Sequence, residues 1–324
     1  MKQSLTLLTI AALLAACSNP RPSLRPHGRW SDGVDVFFTD SVAADYVSFY
    51  GSNKGGINFE WKASIKSNGE MVMLPDKDKP EDTESAIDKA GNRLSVRIFG
   101  PDTVLVVSKP NGTAVDVFEG MPGDPELSNI ETTLKTRYAL GGDYVDEATG
   151  KSISFAVDEP KVTGFSAGDK YSFGTPWDQP EDIQDILTFP GDSAYAFTVT
   201  DTGLDFFRAF KVAEDGDWSI GEKAYSLRRT RWPDLSGDSK LQGHYTFASG
   251  EVMTRGILSN FTARQRRIMR NEIFARYGYR FKNPELRTYF LAQPWYIPSA
   301  DDVTARLTPL EKLNVEMLEA YDKR

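Results

Sequence analysis

Val34-Asp35-Val36-Phe37-Phe38, Tyr46-Val47-Ser48-Phe49-Tyr50 and Ile57-Asn58-Phe59-Glu60-Trp61 follow one another near the front of the chain. Each is a short run of β-branched and aromatic side chains, the shapes that fit a pleated, half-buried surface. Leu94 to Phe99 and Val104 to Val107 continue in the same style. Ser67-Asn68-Gly69, Gly100-Pro101-Asp102 and Pro110-Asn111-Gly112 supply turn chemistry between such runs. The spacing predicts an antiparallel meander over residues 28–120, with Asp76 to Lys89 as a charged connection.

Residues 121–137 read as a linker, helical from Pro125 to Arg137. From Tyr138 the strand style resumes in Ser152 to Phe155, Lys170 to Phe173, Ala194 to Val199, Leu204 to Phe207 and Ala224 to Leu227. These make a second β-rich module over residues 138–232. The two modules open alike, with Gly28-Arg29-Trp30-Ser31-Asp32 before one and Gly142-Asp143-Tyr144-Val145-Asp146 before the other. A glycine-x-aromatic opening ahead of a β-meander resembles the start of lipocalin-like small barrels. The expected fold is mainly β with a small α-helical C-terminal domain: two lipocalin-like barrels or sandwiches, then helices.

Over residues 243–324 the periodicity turns helical. Asn283 before Pro284 is an N-cap followed by proline at the first helical position. Thr308-Pro309-Leu310-Glu311 is a capping box, and Leu310, Leu313, Met317, Leu318 and Tyr321 fall on one apolar face behind it. Thr262 to Tyr277 reads as a further helix, ended by Gly278 at the left-handed position.

Within that helix and just past it stands Phe274-Ala275-Arg276-Tyr277-Gly278, preceded by Met269-Arg270-Asn271-Glu272-Ile273 and followed by Tyr279-Arg280-Phe281. With Gly243 to Ser249 upstream and Gln293-Pro294-Trp295-Tyr296 downstream, this segment resembles the YARHG domain, a module of exported bacterial proteins. Phe274 stands where the family motif has tyrosine, and Tyr277 where it has histidine, so the motif here lacks its one good base or metal ligand. The resemblance implies a module and an exported compartment, and no activity. From spacing, Asn271, Glu272 and Arg276 are expected to form a polar network fixing the helix against the Trp295 segment, with Arg276 four residues after Glu272. Arg264, Arg266, Arg267, Arg270 and Arg280 are either a basic face for an acidic ligand, such as peptidoglycan carboxylates or lipid phosphates, or a solvated helix surface.

The front of the chain carries an address. Met1-Lys2-Gln3-Ser4 precedes an apolar run from Leu5 to Ala16, too short to span a bilayer. Leu14-Ala15-Ala16-Cys17 resembles the lipobox of bacterial lipoproteins, which implies a signal peptide over residues 1–16 and lipidation of Cys17. Ser18 after the cysteine implies, by the same resemblance, the outer membrane. Residues 18–27 are proline-rich and read as a tether.

Composition narrows the chemistry. Cys17 is the only cysteine in 324 residues, so no internal disulfide can form. Residues 18–253 carry 24 basic and 38 acidic side chains, whereas residues 254–324 carry 13 and 8. An acidic body with a basic tail does not suit nucleic acid. His27 and His244 are the only histidines, too few for a zinc site of ordinary composition. Gly164-Phe165-Ser166-Ala167-Gly168 matches the hydrolase elbow pattern, but a strand is expected after it where the elbow needs a helix. Glu214-Asp215-Gly216-Asp217 reads as a hairpin turn and not as a calcium loop. No cofactor, metal or catalytic set is expected. The expectation is a lipid-anchored envelope protein that binds or scaffolds, its tail engaging an envelope polymer or a protein partner. The alternatives are, in order, a lipocalin-like carrier of a small apolar ligand and an envelope hydrolase.

Overall fold

The structure, a computed structural model, describes residues 28–34, 36–42, 46–52, 58–66, 70–74, 91–121, 127–174, 183, 185–211, 218–235 and 240–323. The segments expected to be the signal peptide, the lipidated Cys17, the tether with His27, the 76–89 connection, the Ser67 turn and the Glu214 to Asp217 turn lie outside the described residues.

The first module is a closed barrel of eight strands. These are β1 (Gly28–Ser31), β2 (Val36–Val42), β3 (Tyr46–Ser52), β4 (Asn58–Ile65), β5 (Met71–Met73), β6 (Arg93–Phe99), β7 (Asp102–Ser108) and β8 (Ala114–Met121). Each pairs with the next, and β1 closes the ring by pairing also with β8, Trp30 facing Phe37 on one side and Gly120 on the other. Closure removes the unpaired edges of an open sheet. Between β7 and β8 the Asn111 side chain accepts a hydrogen bond from the Thr113 backbone N–H at 3.1 Å, and Gly112 takes φ +88°. Such a turn needs a residue free to enter the left-handed region. Trp30, Met71, Met73, Leu94, Leu105 and Phe118 fill the interior.

The linker helix is α1 (Leu127–Leu134), and it runs on past the expected end as a π-helical turn, Lys135–Leu140. The second module then begins with β9 (Gly142–Asp146), β10 (Ser152–Phe155), β11 (Val162–Thr163) and β12 (Ser172–Gly174). It continues with β13 (Asp185–Phe189), β14 (Ser193–Val199), β15 (Gly203–Lys211) and β16 (Trp218–Arg231). The strand order is β11-β10-β9-β16-β15-β14-β13-β12. As in the first module, the opening strand pairs with both the second and the last, and its aromatic is buried: Tyr144 here, Trp30 there. The ends of this sheet curl back on each other. Lys161, just ahead of β11, makes an isolated bridge to Lys170, just ahead of β12, and the Val162 N–H donates to Asp169 O at 2.9 Å. Phe155, Phe165, Tyr171, Phe189, Tyr195, Phe197 and Phe206 are buried inside at ring spacings such as 5.3 Å for Phe165–Phe189 and 6.0 Å for Phe155–Tyr171.

The C-terminal module holds α2 (Arg255–Leu258), α3 (Ala263–Arg276), α4 (Pro284–Leu291) and α5 (Pro309–Tyr321), with 3-10 turns at Thr246–Ser249 and Thr304–Arg306. Thr262 and Thr308 each close a capping box, with Gln265 and Glu311, and Asn283 caps α4 ahead of Pro284. The module's core reaches into the first barrel's wall. Val104, Val106, Ala114 and Val117 point outward from β7 and β8 and share one cluster with Tyr138, Phe247, Ile257, Met269, Phe290 and Leu318. Val104 to Val107 are therefore buried on both faces of the sheet.

Candidate functional site in the C-terminal module

The five motif residues each have a local physical task. Ala275 is buried and Phe274 packs its ring 6.1 Å from that of Tyr279. Gly278 follows the helix at φ +77°, and a β-carbon there would sit 2.8 Å from Ile297 O. Only glycine meets both conditions.

Arg276 is the hub. Its Nε donates to Gln242 O at 2.9 Å, Nη1 to Ser249 Oγ at 2.8 Å, and Nη2 to Tyr245 O at 2.9 Å and to the Glu272 carboxylate. Glu272, 1% exposed, also accepts the backbone N–H groups of His244 and Tyr245 at 2.9 and 2.7 Å. Burial pushes the Glu272 carboxyl up against the opposing pull of Arg276, and burial likewise lowers the Arg276 guanidinium against Glu272. Two such groups persist in the interior because the guanidinium meets four acceptors and the carboxylate three N–H donors. Tyr277 donates its hydroxyl to Glu311 Oε2 at 2.7 Å, and Glu311 Oε1 accepts from Ser249 at 2.7 Å. Burial first, then that bond, pushes the Tyr277 phenol up to about 12.

This corrects the expected network in two respects. Arg276 and Glu272 hold the lead-in segment 242–249, not the Trp295 segment; Trp295 sits with its ring 6.3 Å from both Phe290 and Tyr296. Asn271 stands apart, donating to Arg267 O one turn back at 2.8 Å.

The basic run is engaged with the module's own carboxylates. Arg266 pairs with Asp322 at 2.7 Å and its guanidinium lies 4.6 Å from the Tyr321 ring centre. Arg267 and Arg264 share Glu285, at 2.7 and 3.8 Å; Arg270 meets Glu319 at 3.6 Å and Arg280 meets Asp301 at 3.4 Å. An acidic ligand would have to displace these partners.

Other polar groups tie the module to the first barrel and to the second sheet, and sequence spacing gave no sign of them. Arg255 of α2 reaches Asp32 at 2.7 Å, and Gly256 N–H donates to Asp32 O at 2.6 Å. Gln265 of α3 donates to Thr200 O at 2.9 Å, and Thr262 bonds Asp201 at 2.5 Å. Arg137 pairs with Glu251 at 2.7 Å, and the Tyr138 hydroxyl donates to the same carboxylate. Glu119 on β8 lies beside them, its carboxyl raised to about 7 by burial and by Asp102 and Glu251, with Arg137 opposing.

Ser166 lies in the turn between β11 and β12, exposed, with its oxygen 2.5 Å from the Tyr225 hydroxyl, and no helix follows it. His244 Nδ1 faces the Tyr289 hydroxyl at 3.1 Å. Among the described residues no group of three or more His, Cys, Asp or Glu could hold a metal ion, and no helix is long and apolar enough to cross a membrane.

No curated protein and no solved structure matches the chain. The family model of the YARHG domain matches residues 252–323, which begins after the lead-in segment and takes in all four helices, so the C-terminal module is similar to that domain.

Proposed function

We propose that this chain is a lipid-anchored cell-envelope binding or scaffolding protein without catalytic activity on a substrate, held at the outer membrane through Cys17. The observation that carries the reading is the use of the C-terminal module as a clamp. Its buried polar groups are spent on its own lead-in segment, on the first barrel through Arg255–Asp32 and on the second sheet through Gln265–Thr200. What it offers outward is a patch around α4. Leu291 and Ile297 are 55% and 75% exposed, and Arg287, one turn before Leu291, is exposed too. Arg280 and Arg287 both lie close to Tyr296. Exposed apolar side chains bordered by cations suit a partner surface with acidic groups, a cell-wall polymer or an envelope protein.

The test is co-sedimentation of a lipid-free 18–324 chain with purified sacculi at low and moderate salt, beside the variant Leu291→Glu/Ile297→Glu. Pelleting by the natural chain that the variant loses supports the reading. Failure of the natural chain to pellet removes the cell wall as partner.

A second reading is favoured by one atom. Trp30 Nε1 is buried in the first barrel, and among the described residues it has no hydrogen-bond partner. A buried indole N–H commonly finds an acceptor, and a small apolar ligand with one polar end would supply it. Native mass spectrometry of the purified protein would show the co-purified mass.

A further inference from the structure

Lys135, in the π-helical turn after α1, is 9% exposed, and Asp185, at the start of β13, is 7% exposed. Lys135 Nζ lies 2.5 Å from Asp185 Oδ2 and 2.9 Å from Glu131 Oε1. The other oxygen of Asp185, Oδ1, accepts the Ile186 backbone N–H at 2.8 Å. An amine, a carboxyl group with a backbone donor on one oxygen, and a second carboxylate touching the amine are the parts needed for acyl transfer to nitrogen.

We propose that Lys135 and Asp185 condense into an intramolecular isopeptide bond, with Glu131 relaying the proton. The step balances without any co-reactant. Lys135 Nζ attacks Asp185 Cγ, and the N–C bond forms as the Cγ–Oδ2 bond breaks. The reacting pair is the neutral amine and the acid protonated on Oδ2, formed when one proton of the Lys135–Asp185 ion pair passes from nitrogen to oxygen. Glu131 then takes a second proton from the attacking nitrogen and delivers it to Oδ2, which leaves with both protons as one water molecule. Oδ1 remains as the amide oxygen, already bonded to the Ile186 N–H.

Two circumstances favour the reaction over a permanent ion pair. The groups are held in contact by the helix and the strand, which removes the entropic cost of bringing them together. Burial also disfavours separated charges relative to the neutral amine and acid that react. Burial raises the Asp185 carboxyl accordingly; Lys135 is held up by its two carboxylates against burial, so the relay through Glu131 is what frees the amine. The product would staple residues 50 apart in the chain, and would give a protein with one cysteine a covalent cross-link of another kind.

Tryptic peptide mapping of the full chain tests it directly. Acylated Lys135 resists trypsin, so the expected product joins residues 98–137 to residues 171–208, one water lighter than the two peptides together. Recovery of only the free peptide ending at Lys135 overturns the proposal. In Asp185→Asn the same joint is expected with loss of ammonia in place of water. In Glu131→Gln, with its circular dichroism unchanged, the joined peptide should fall at least tenfold; an undiminished yield would remove Glu131 from the step.

Discussion

Arg255 and Asp32 stand 223 residues apart in the chain and meet at 2.7 Å, with side chains 9% and 0% exposed. The pair fastens the lead-in to the first barrel's second strand onto the C-terminal module. Removing one partner of a buried pair strands the other charge, at a cost of about 3–5 kcal/mol. Arg255→Met is therefore expected to lower urea stability by that order, and a loss below about 1 kcal/mol would mean that water reaches Asp32.

Arg276→Lys keeps the charge but cannot serve Gln242, Ser249, Tyr245 and Glu272 together. The expected loss is about 2 kcal/mol, with hydrogen exchange speeding up in residues 242–249. Tyr277→Phe, which removes one bond to Glu311, should cost about 1 kcal/mol. Equal losses in the two variants would mean that Arg276 is not the hub.

Gly278→Ala places a β-carbon at φ +77° and 2.8 Å from Ile297 O. Strain and contact together should cost at least about 2 kcal/mol. Chemical denaturation measures it; a neutral substitution would show that the 297–299 segment yields freely.

The junction of the first barrel and the C-terminal module should depend on pH. Glu119 is raised from 4.5 to about 7 by burial and by Asp102 and Glu251. A carboxyl raised in the folded state stabilises the fold when protonated, so its contribution is lost as pH climbs from about 4.5 through about 7. The melting temperature should fall between pH 5 and about 8, and Glu119→Gln should raise it at the alkaline end and flatten that slope. A variant with the natural slope would place the effect elsewhere.

Cys17→Ser should abolish incorporation of labelled palmitate and release the protein from the membrane fraction. Labelling that survives the change would refute anchoring at this residue.

Local signals were read where the physics is local. Thr262, Asn283 and Thr308 cap their helices, and Gly278 ends one, because capping involves side chains and amides within a turn. Ser152 to Phe155 alternates between exposed and buried, and shows as a strand for that reason. Asp185 to Phe189 is buried on nearly every residue, so it lacks the alternation that marks a strand in sequence. The arginines looked free because their partners are remote: Arg266 finds Asp322 at a separation of 56 residues. The same distance hid Lys135–Asp185 and Arg255–Asp32, since only the tertiary fold brings such pairs together.

The second sheet is paired strand to strand from β11 round to β12, and among the described residues its two ends meet at the single bridge Lys161–Lys170. A zip with one tooth at its seam opens there first. Amide exchange within this sheet should thus be fastest along that seam, and a force drawn through the sheet would part it first between β11 and β12.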